Sequence, residues 1–166
     1  MSMTAMQTIS GEIQSQPLND NFSLIAQDVG IESGVFTPTL IGSVTAGVHT
    51  YSTQSGHYVK QGKLVNCVMY ITVSSKDAAI NGTLQIAGLP FPVKTSAVYL
   101  PSGAICNFSG ITFTAGYTFI GARGNSGASK FDLFQSGSGV GKISLSQAAL
   151  AGTTMEIGIT ATYETD

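Results

Sequence analysis

The chain has 166 residues, of which 43% are apolar and only 10% are charged, with 20 glycines and a formal net charge of −2. This length suits one domain with an appendage, and the apolar content is enough to build a core. The seven Lys and Arg residues are too few for the basic surface that nucleic acid requires, and no apolar run reaches the ~18 residues of a membrane span, so we expect neither nucleic-acid binding nor membrane insertion.

The start of the chain and its two cysteines indicate the compartment. No basic and apolar segment near residue 1 is typical of a secretory signal, so we expect a protein made and kept in the cytosol. A reducing cytosol argues against a disulfide between Cys67 and Cys106. We interpret both cysteines as buried core residues that keep their thiols.

The first predicted element is a short helix over residues 17–29. Ser15 is a capping-type residue and Pro17 suits the first helical turn. Apolar residues then follow at intervals of four, three and four, which is the seam of a short coiled coil: Leu18, Phe22, Ile25 and Val29.

Two interpretations of this apolar stripe stay open. It either packs on its own domain or faces sister helices in a parallel stem. Gly30 and Gly34 separate the helix from the remainder without a strong signal for a chain reversal, which favours the stem. Since so short a helix is marginal alone, we expect the following domain to associate as well.

From residue 35 to residue 166 the sequence predicts strands only. The clearest unit is a hairpin in which Gln61 and Gly62 separate two alternating runs. In its second arm we expect one face to line the core and the other to point outward; the core face is Val65, Cys67, Met69, Ile71 and Val73.

Further short strands are separated by Gly, Pro, Asn and Ser. They are expected around residues 83–86, 97–100, 117–122, 130–135, 141–145 and 155–163. Seven or eight strands at this spacing, with no helices between them, indicate an antiparallel, jelly-roll-like β-sandwich. The predicted fold class is therefore all-β, preceded by a short N-terminal α-helical coiled-coil stem.

One strand-connecting loop is the candidate receptor-binding site. Between residues 123 and 130 two of the seven basic residues stand in a small, polar turn. The candidate binding residues of this turn are Arg123, Asn125, Ser126 and Lys130. Their guanidinium, amide, hydroxyl and ammonium groups are the donors that an anionic or hydroxyl-rich polymer requires. The alternative is a Gly-Ser turn carrying two solvated charges.

The sequence predicts no catalytic residues, no metal site and no cofactor. Asp132 and Glu156 are the acids that fall in the middle of predicted strands, and each alternates with apolar neighbours, so we expect outward, solvated carboxylates rather than a hydrolytic pair. His49 and His57 have no acids or thiolates beside them and fall short of a metal set. We therefore expect a non-enzymatic protein.

Several segments of the chain resemble bacteriophage fibre and spike proteins. The resemblance rests on four motifs: Tyr-Ser-Thr-Gln-Ser-Gly-His-Tyr-Val-Lys at 51–60, Gly-Thr-Leu-Gln-Ile-Ala-Gly-Leu-Pro-Phe-Pro at 82–92, Phe-Gln-Ser-Gly-Ser-Gly at 134–139 and Ile-Thr-Ala-Thr-Tyr-Glu-Thr-Asp at 159–166. The segment Ile-Gln-Ser-Gln-Pro-Leu-Asn-Asp-Asn-Phe at 13–22 is similar to the attachment segment that precedes such modules. The resemblance covers roughly residues 47–166 together with this segment.

The resemblance implies a homotrimeric virion appendage, assembled in the host cytoplasm, in three parts. Residues 1–16, from Met1 to Gln16, dock on other virion proteins; residues 17–34 form the trimerisation stem and linker; residues 35–166 form the β-sandwich head. The implied function is attachment to the host surface, with cell-wall or surface polysaccharide as a partner. Capsid or neck decoration with a structural role is the alternative, followed by a cellular carbohydrate-binding module, which the absence of Trp disfavours.

Overall fold

The computed structural model describes residues 30–166, and it is all-β apart from one short 3₁₀ turn at Gln147–Ala149. The predicted helix at 17–29 and its stripe of Leu18, Phe22, Ile25 and Val29 lie outside the described residues, as do residues 1–16. The strands are β1 Ile31–Phe36, β2 Thr39–Gly42, β3 Thr50–Gln61, β4 Leu64–Ser75, β5 Leu84–Ala87, β6 Ser102–Ser109, β7 Phe119–Gly124, β8 Lys130–Gly137, β9 Val140–Ser144 and β10 Met155–Glu164.

The predicted hairpin is confirmed as the pairing of β3 with β4. Gln61 stands opposite Leu64, so the turn consists of Gly62 and Lys63, one residue later than the predicted pair of Gln61 and Gly62. Gly62 has a φ of +56°, a left-handed conformation that glycine adopts without steric cost. The alternation in β4 is also as predicted, because its odd-numbered residues from 65 to 73 are buried.

All strand pairs are antiparallel and belong to one continuous sheet, not to the two sheets of the predicted sandwich. The strand order is β1-β3-β4-β10-β6-β7-β8-β5-β2, with β9 beside β8. The end strands β1 and β2 are joined by residues 37 and 38 alone, a link of about 11 Å at most, so the sheet must curl until its ends approach each other.

Side chains of β3 close this curl against β2. The Tyr51 hydroxyl accepts a hydrogen bond from Leu40 N (3.1 Å) and donates one to Leu40 O (3.3 Å). Gln54 Nε2 donates to Pro38 O at 2.9 Å. These contacts satisfy backbone groups of Leu40 and Pro38 that no strand among residues 30–166 pairs.

The core lies inside the curl and is filled from every side of it. β4 and β10 contribute alternate residues, and β5, β7 and β8 supply the opposite wall. The largest fully buried side chains are Tyr163, Phe131, Leu40, Met69, Ile71, Leu84, Ile86, Ile120, Leu133, Leu145, Ile157 and Ile159.

The sequence reading was wrong in the region between β5 and β7. The predicted strand at 97–100 is an irregular turn, in which Ser96 Oγ accepts hydrogen bonds from Val98 N (3.3 Å) and Tyr99 N (3.1 Å). The strand here is β6, which begins at Ser102. Cys106 lies in β6 and is exposed, not buried as expected, whereas Cys67 is buried; both are free thiols.

Candidate functional site

The predicted receptor-binding residues are brought to one place by the β7–β8 hairpin. Arg123 belongs to β7 and Lys130 begins β8, so only Asn125 and Ser126 are turn residues. Arg123 stands directly opposite Asp132. Because Ala122, Phe131 and Leu133 point into the core, Arg123 and Asp132 lie on the outer face of the sheet.

Asp132 is the centre of a polar cluster. Its Oδ1 accepts hydrogen bonds from Asn125 Nδ2 (2.8 Å) and Gln85 Nε2 (2.6 Å). Arg123 Nη2 lies 3.6 Å from its Oδ2. Lys130 Nζ donates to Gln85 Oε1 at 3.2 Å, so Gln85 links the ammonium to the carboxylate. We call these five residues the Asp132 cluster.

The cluster carries an excess of positive charge. Arg123 lies beside the carboxylate, and Lys130 is linked to it through Gln85. The Arg123 and Asp132 side chains are 37% and 21% exposed. Arg123 Nε is buried and has no hydrogen-bond partner among the described residues. A partly exposed guanidinium beside an ammonium suits an anionic or hydroxyl-rich ligand, because both groups only donate hydrogen bonds.

The turn between β7 and β8 is held against the segment that follows β5. Gly127 N donates to Val93 O at 2.8 Å, and Val93 N donates to Ala128 O at 3.1 Å. Ser126 Oγ accepts from Ser96 N at 2.8 Å, while Ser126 itself stays exposed. These bonds fix the position of the turn, and with it the partners that Arg123 and Asn125 can reach.

The two mid-strand acids, Asp132 and Glu156, lie on different parts of the sheet. Between β8 and β10 there are two intervening strands, which corresponds to about 14 Å across the sheet. Glu156 accepts hydrogen bonds from Tyr70 Oη and Asn107 Nδ2. Both acids therefore point outward as predicted, but each has hydrogen-bond partners that alternation alone does not identify.

The histidines have separate environments. His49 Nδ1 accepts a hydrogen bond from Asp77 N at 3.0 Å, and burial lowers the pKa of His49. His57 is exposed on β3. Within residues 30–166, no three His, Cys, Asp or Glu side chains are arranged to hold a metal ion. The same part of the chain contains no helix long and apolar enough to cross a membrane.

Comparison with solved structures identifies a similar fold. The crystal structure of the Dettilon tailspike protein matches 81% of this chain with a TM-score of 0.64 and 21% sequence identity. The match covers 24% of the tailspike, so this chain spans about a quarter of that protein's length. No protein-family model and no curated protein matches the sequence. The resemblance to phage fibres and spikes is thus supported at the level of the fold, which this chain shares with part of a tailspike protein.

Proposed function

We propose that this chain is part of a bacteriophage virion appendage, a fibre or spike, and that it contributes to attachment to the host surface. The observation that carries this proposal is the fold shared with part of a tailspike over 81% of the chain. The charge-poor composition agrees with it, because a surface with few charges suits burial against other subunits.

The Asp132 cluster supports the attachment role. It places two cations and an amide on the outer face, where a surface polymer has access, and the exposed Ser126 lies in the adjoining turn. Each such site makes few contacts and is therefore weak. Three copies in a trimer would act together, and avidity would raise the overall affinity without new contacts.

Adsorption of particles to the host tests this role. Replacing Arg123, Asn125 and Lys130 by Ala should slow adsorption while the protein still folds, since none of the three is a core residue. Lys142→Ala is the matched control, because Lys142 is an exposed cation on β9. If the triple variant adsorbs at the rate of the control, the attachment role of this site is rejected; particles that adsorb normally but fall apart would indicate decoration.

The proposed assembly is a homotrimer anchored through residues 1–16 and joined along the stripe of Leu18, Phe22, Ile25 and Val29. Light scattering of the full-length chain should give the mass of a trimer. Phe22→Asp should weaken the stem, because a carboxylate among apolar partners is costly to desolvate. A monomer of the unmodified chain would refute the trimer.

We also propose that the protein is not a hydrolase. The separation of about 14 Å between the strands of Asp132 and Glu156 exceeds the 5–10 Å that glycoside hydrolysis requires of its two carboxyl groups. Cleavage of host polysaccharide by the purified protein, lost in Asp132→Asn, would overturn this.

A further inference from the structure

A second polar cluster occupies the outer face at the opposite part of the sheet, across β4, β10 and β6. Tyr70 of β4 and Asn107 of β6 both stand opposite Gly158 of β10. Both donate a hydrogen bond to Glu156 Oε1, two residues along β10. Asn107 is exposed, and Tyr70 and Glu156 are half-buried. We call these three side chains the Glu156 cluster.

The backbone beneath the Glu156 cluster is irregular. The register of β6 against β10 shifts between Gly158 and Ile159, and Cys106 is the extra residue of this bulge. A Cβ atom on Gly158 would lie 2.8 Å from Cys106 Sγ and 3.3 Å from a carbon of the Tyr70 ring. The absence of a side chain at Gly158 therefore leaves room for both the thiol and the ring. Bulges and strand-interior glycines both occur where a sheet presents side chains to a ligand.

A similar Tyr–Glu pair elsewhere shows what is distinctive about this one. Tyr58 Oη donates to Glu32 Oε1 at 2.9 Å, and Lys60 Nζ lies 4.0 Å from Glu32 Oε2. Glu156 has the same phenol partner but, among the described residues, an amide in place of the cation. Its second oxygen and the Asn107 carbonyl oxygen are thus acceptors that no described donor occupies, and they lie beside an exposed amide.

Two uncharged grooves lie further along β4 and β10, and none of the three cluster residues lines either of them. One, of about 220 Å³, is lined by His57, Tyr58, Val59, Asn66, Cys67, Val68 and Thr160. The other, of about 540 Å³, shares Thr160 and is bordered by residues 99–102 and by Ala104, Ala161 and Thr162. Neither lining contains Asp, Glu, Lys or Arg. Val68 and Thr160 are two residues from Tyr70 and Gly158 on the same face, so a chain-like ligand held at the cluster has room to extend.

We propose that the Glu156 cluster binds a neutral, hydroxyl-rich saccharide unit, and this rests on the proposed attachment function. Vicinal hydroxyls donate to the open oxygens of Glu156 and Asn107. An anionic sugar would face an uncompensated carboxylate, and within residues 30–166 no three His, Cys, Asp or Glu side chains are grouped to hold a metal ion. The site thus differs in chemistry from the cationic Asp132 cluster.

Ligand-observed NMR with the full-length protein tests the site. The probes are methyl glycosides of glucose, galactose, mannose and N-acetylglucosamine, with glucuronate as the anionic comparison. We expect at least one neutral glycoside to bind and glucuronate not to bind. Glu156→Gln keeps the shape but turns an acceptor into a donor, so binding should fall at least tenfold; Asn107→Ala should do the same. Glu32→Gln is the matched control and should bind as the unmodified protein does.

The exposed thiol supplies a readout local to the site. Saturating glycoside should slow alkylation of Cys106, which adjoins the cluster, and should not do so in Asn107→Ala. Binding that survives both substitutions, or binding of none of the neutral glycosides, overturns the saccharide site. Neither result touches the adsorption assay, so failure of this site is distinguishable from failure of the attachment function.

Discussion

Removing one hydroxyl group should weaken the closure of the curled sheet. Tyr51→Phe deletes the oxygen that serves both the N–H and the C=O of Leu40, at 3.1 and 3.3 Å. Leu40 is 1% exposed, so water does not readily replace the lost partner. Each buried polar group without a partner costs about 1–3 kcal/mol. Because Tyr51 itself is half-buried, we expect the lower part of this range, about 2 kcal/mol in total.

Urea denaturation at fixed protein concentration measures this loss. The midpoint should fall while the slope of the free energy of unfolding against urea stays constant, because the exposed surface hardly changes. Tyr117→Phe is the control: its hydroxyl also donates to a carbonyl, that of Gly141 at 3.0 Å, but at an exposed site, and it should cost less than about 0.5 kcal/mol.

The second closing contact extends the test. Gln54→Ala removes the bond to Pro38 O, two residues from Leu40. If both contacts hold the same edge, the double variant should lose an amount different from the sum of the two single losses. A loss for Tyr51→Phe no larger than that for Tyr117→Phe would refute the idea that these side chains close the sheet.

Further expectations concern acidity and thiol chemistry. Burial lowers the pKa of His49, so the folded state disfavours protonation of this side chain. The free energy of unfolding should therefore decline as the pH falls below the ordinary His pKa of about 6.5. His49→Asn keeps an acceptor for Asp77 N and should flatten this decline between about pH 6.5 and 5 in denaturation curves. A decline that is unchanged in this variant would assign it to other groups. Burial raises the pKa of Cys67 to about 11, so in native protein a maleimide should modify Cys106 alone, and both thiols only after denaturation, as counted by mass spectrometry. Equal rates at the two cysteines would contradict their assigned positions.

Alternation of apolar and polar residues was informative wherever a strand has one buried face. In β4 it predicted which side chains enter the core, and the odd-numbered residues from Val65 to Val73 are buried. In β6 only Gly103 is buried. Apolar and polar residues therefore do not alternate along β6, and the sequence pattern did not reveal this strand. The exposure of Cys106 was missed for this reason.

The partners of the polar side chains could not be predicted from periodicity. Periodicity correctly placed Asp132 and Glu156 on the outer face. It does not tell, however, which residues of neighbouring strands stand opposite each other. Gln85 reaches Asp132 only because β5 lies beside β8, and Tyr70 reaches Glu156 only because β10 lies beside β4. The second pair is separated by 86 residues in sequence. Such contacts depend on long-range pairing, which a local pattern does not encode.

The position of β10 has a consequence for folding during synthesis. β10 follows the other nine strands of the described chain, yet it lies in the middle of the sheet, paired with β4 along ten positions and with β6 on its other side. Until β10 has emerged from the ribosome, the twelve-residue edge of β4 has no partner, and the part of the sheet from β6 onward cannot join the first hairpin. Nascent chains therefore carry an open strand edge, which is the feature that promotes pairing with the wrong molecule. Polysomes that hold several unfinished copies close together bring such edges into contact, so the emergence of β10 is the step after which correct folding competes with aggregation.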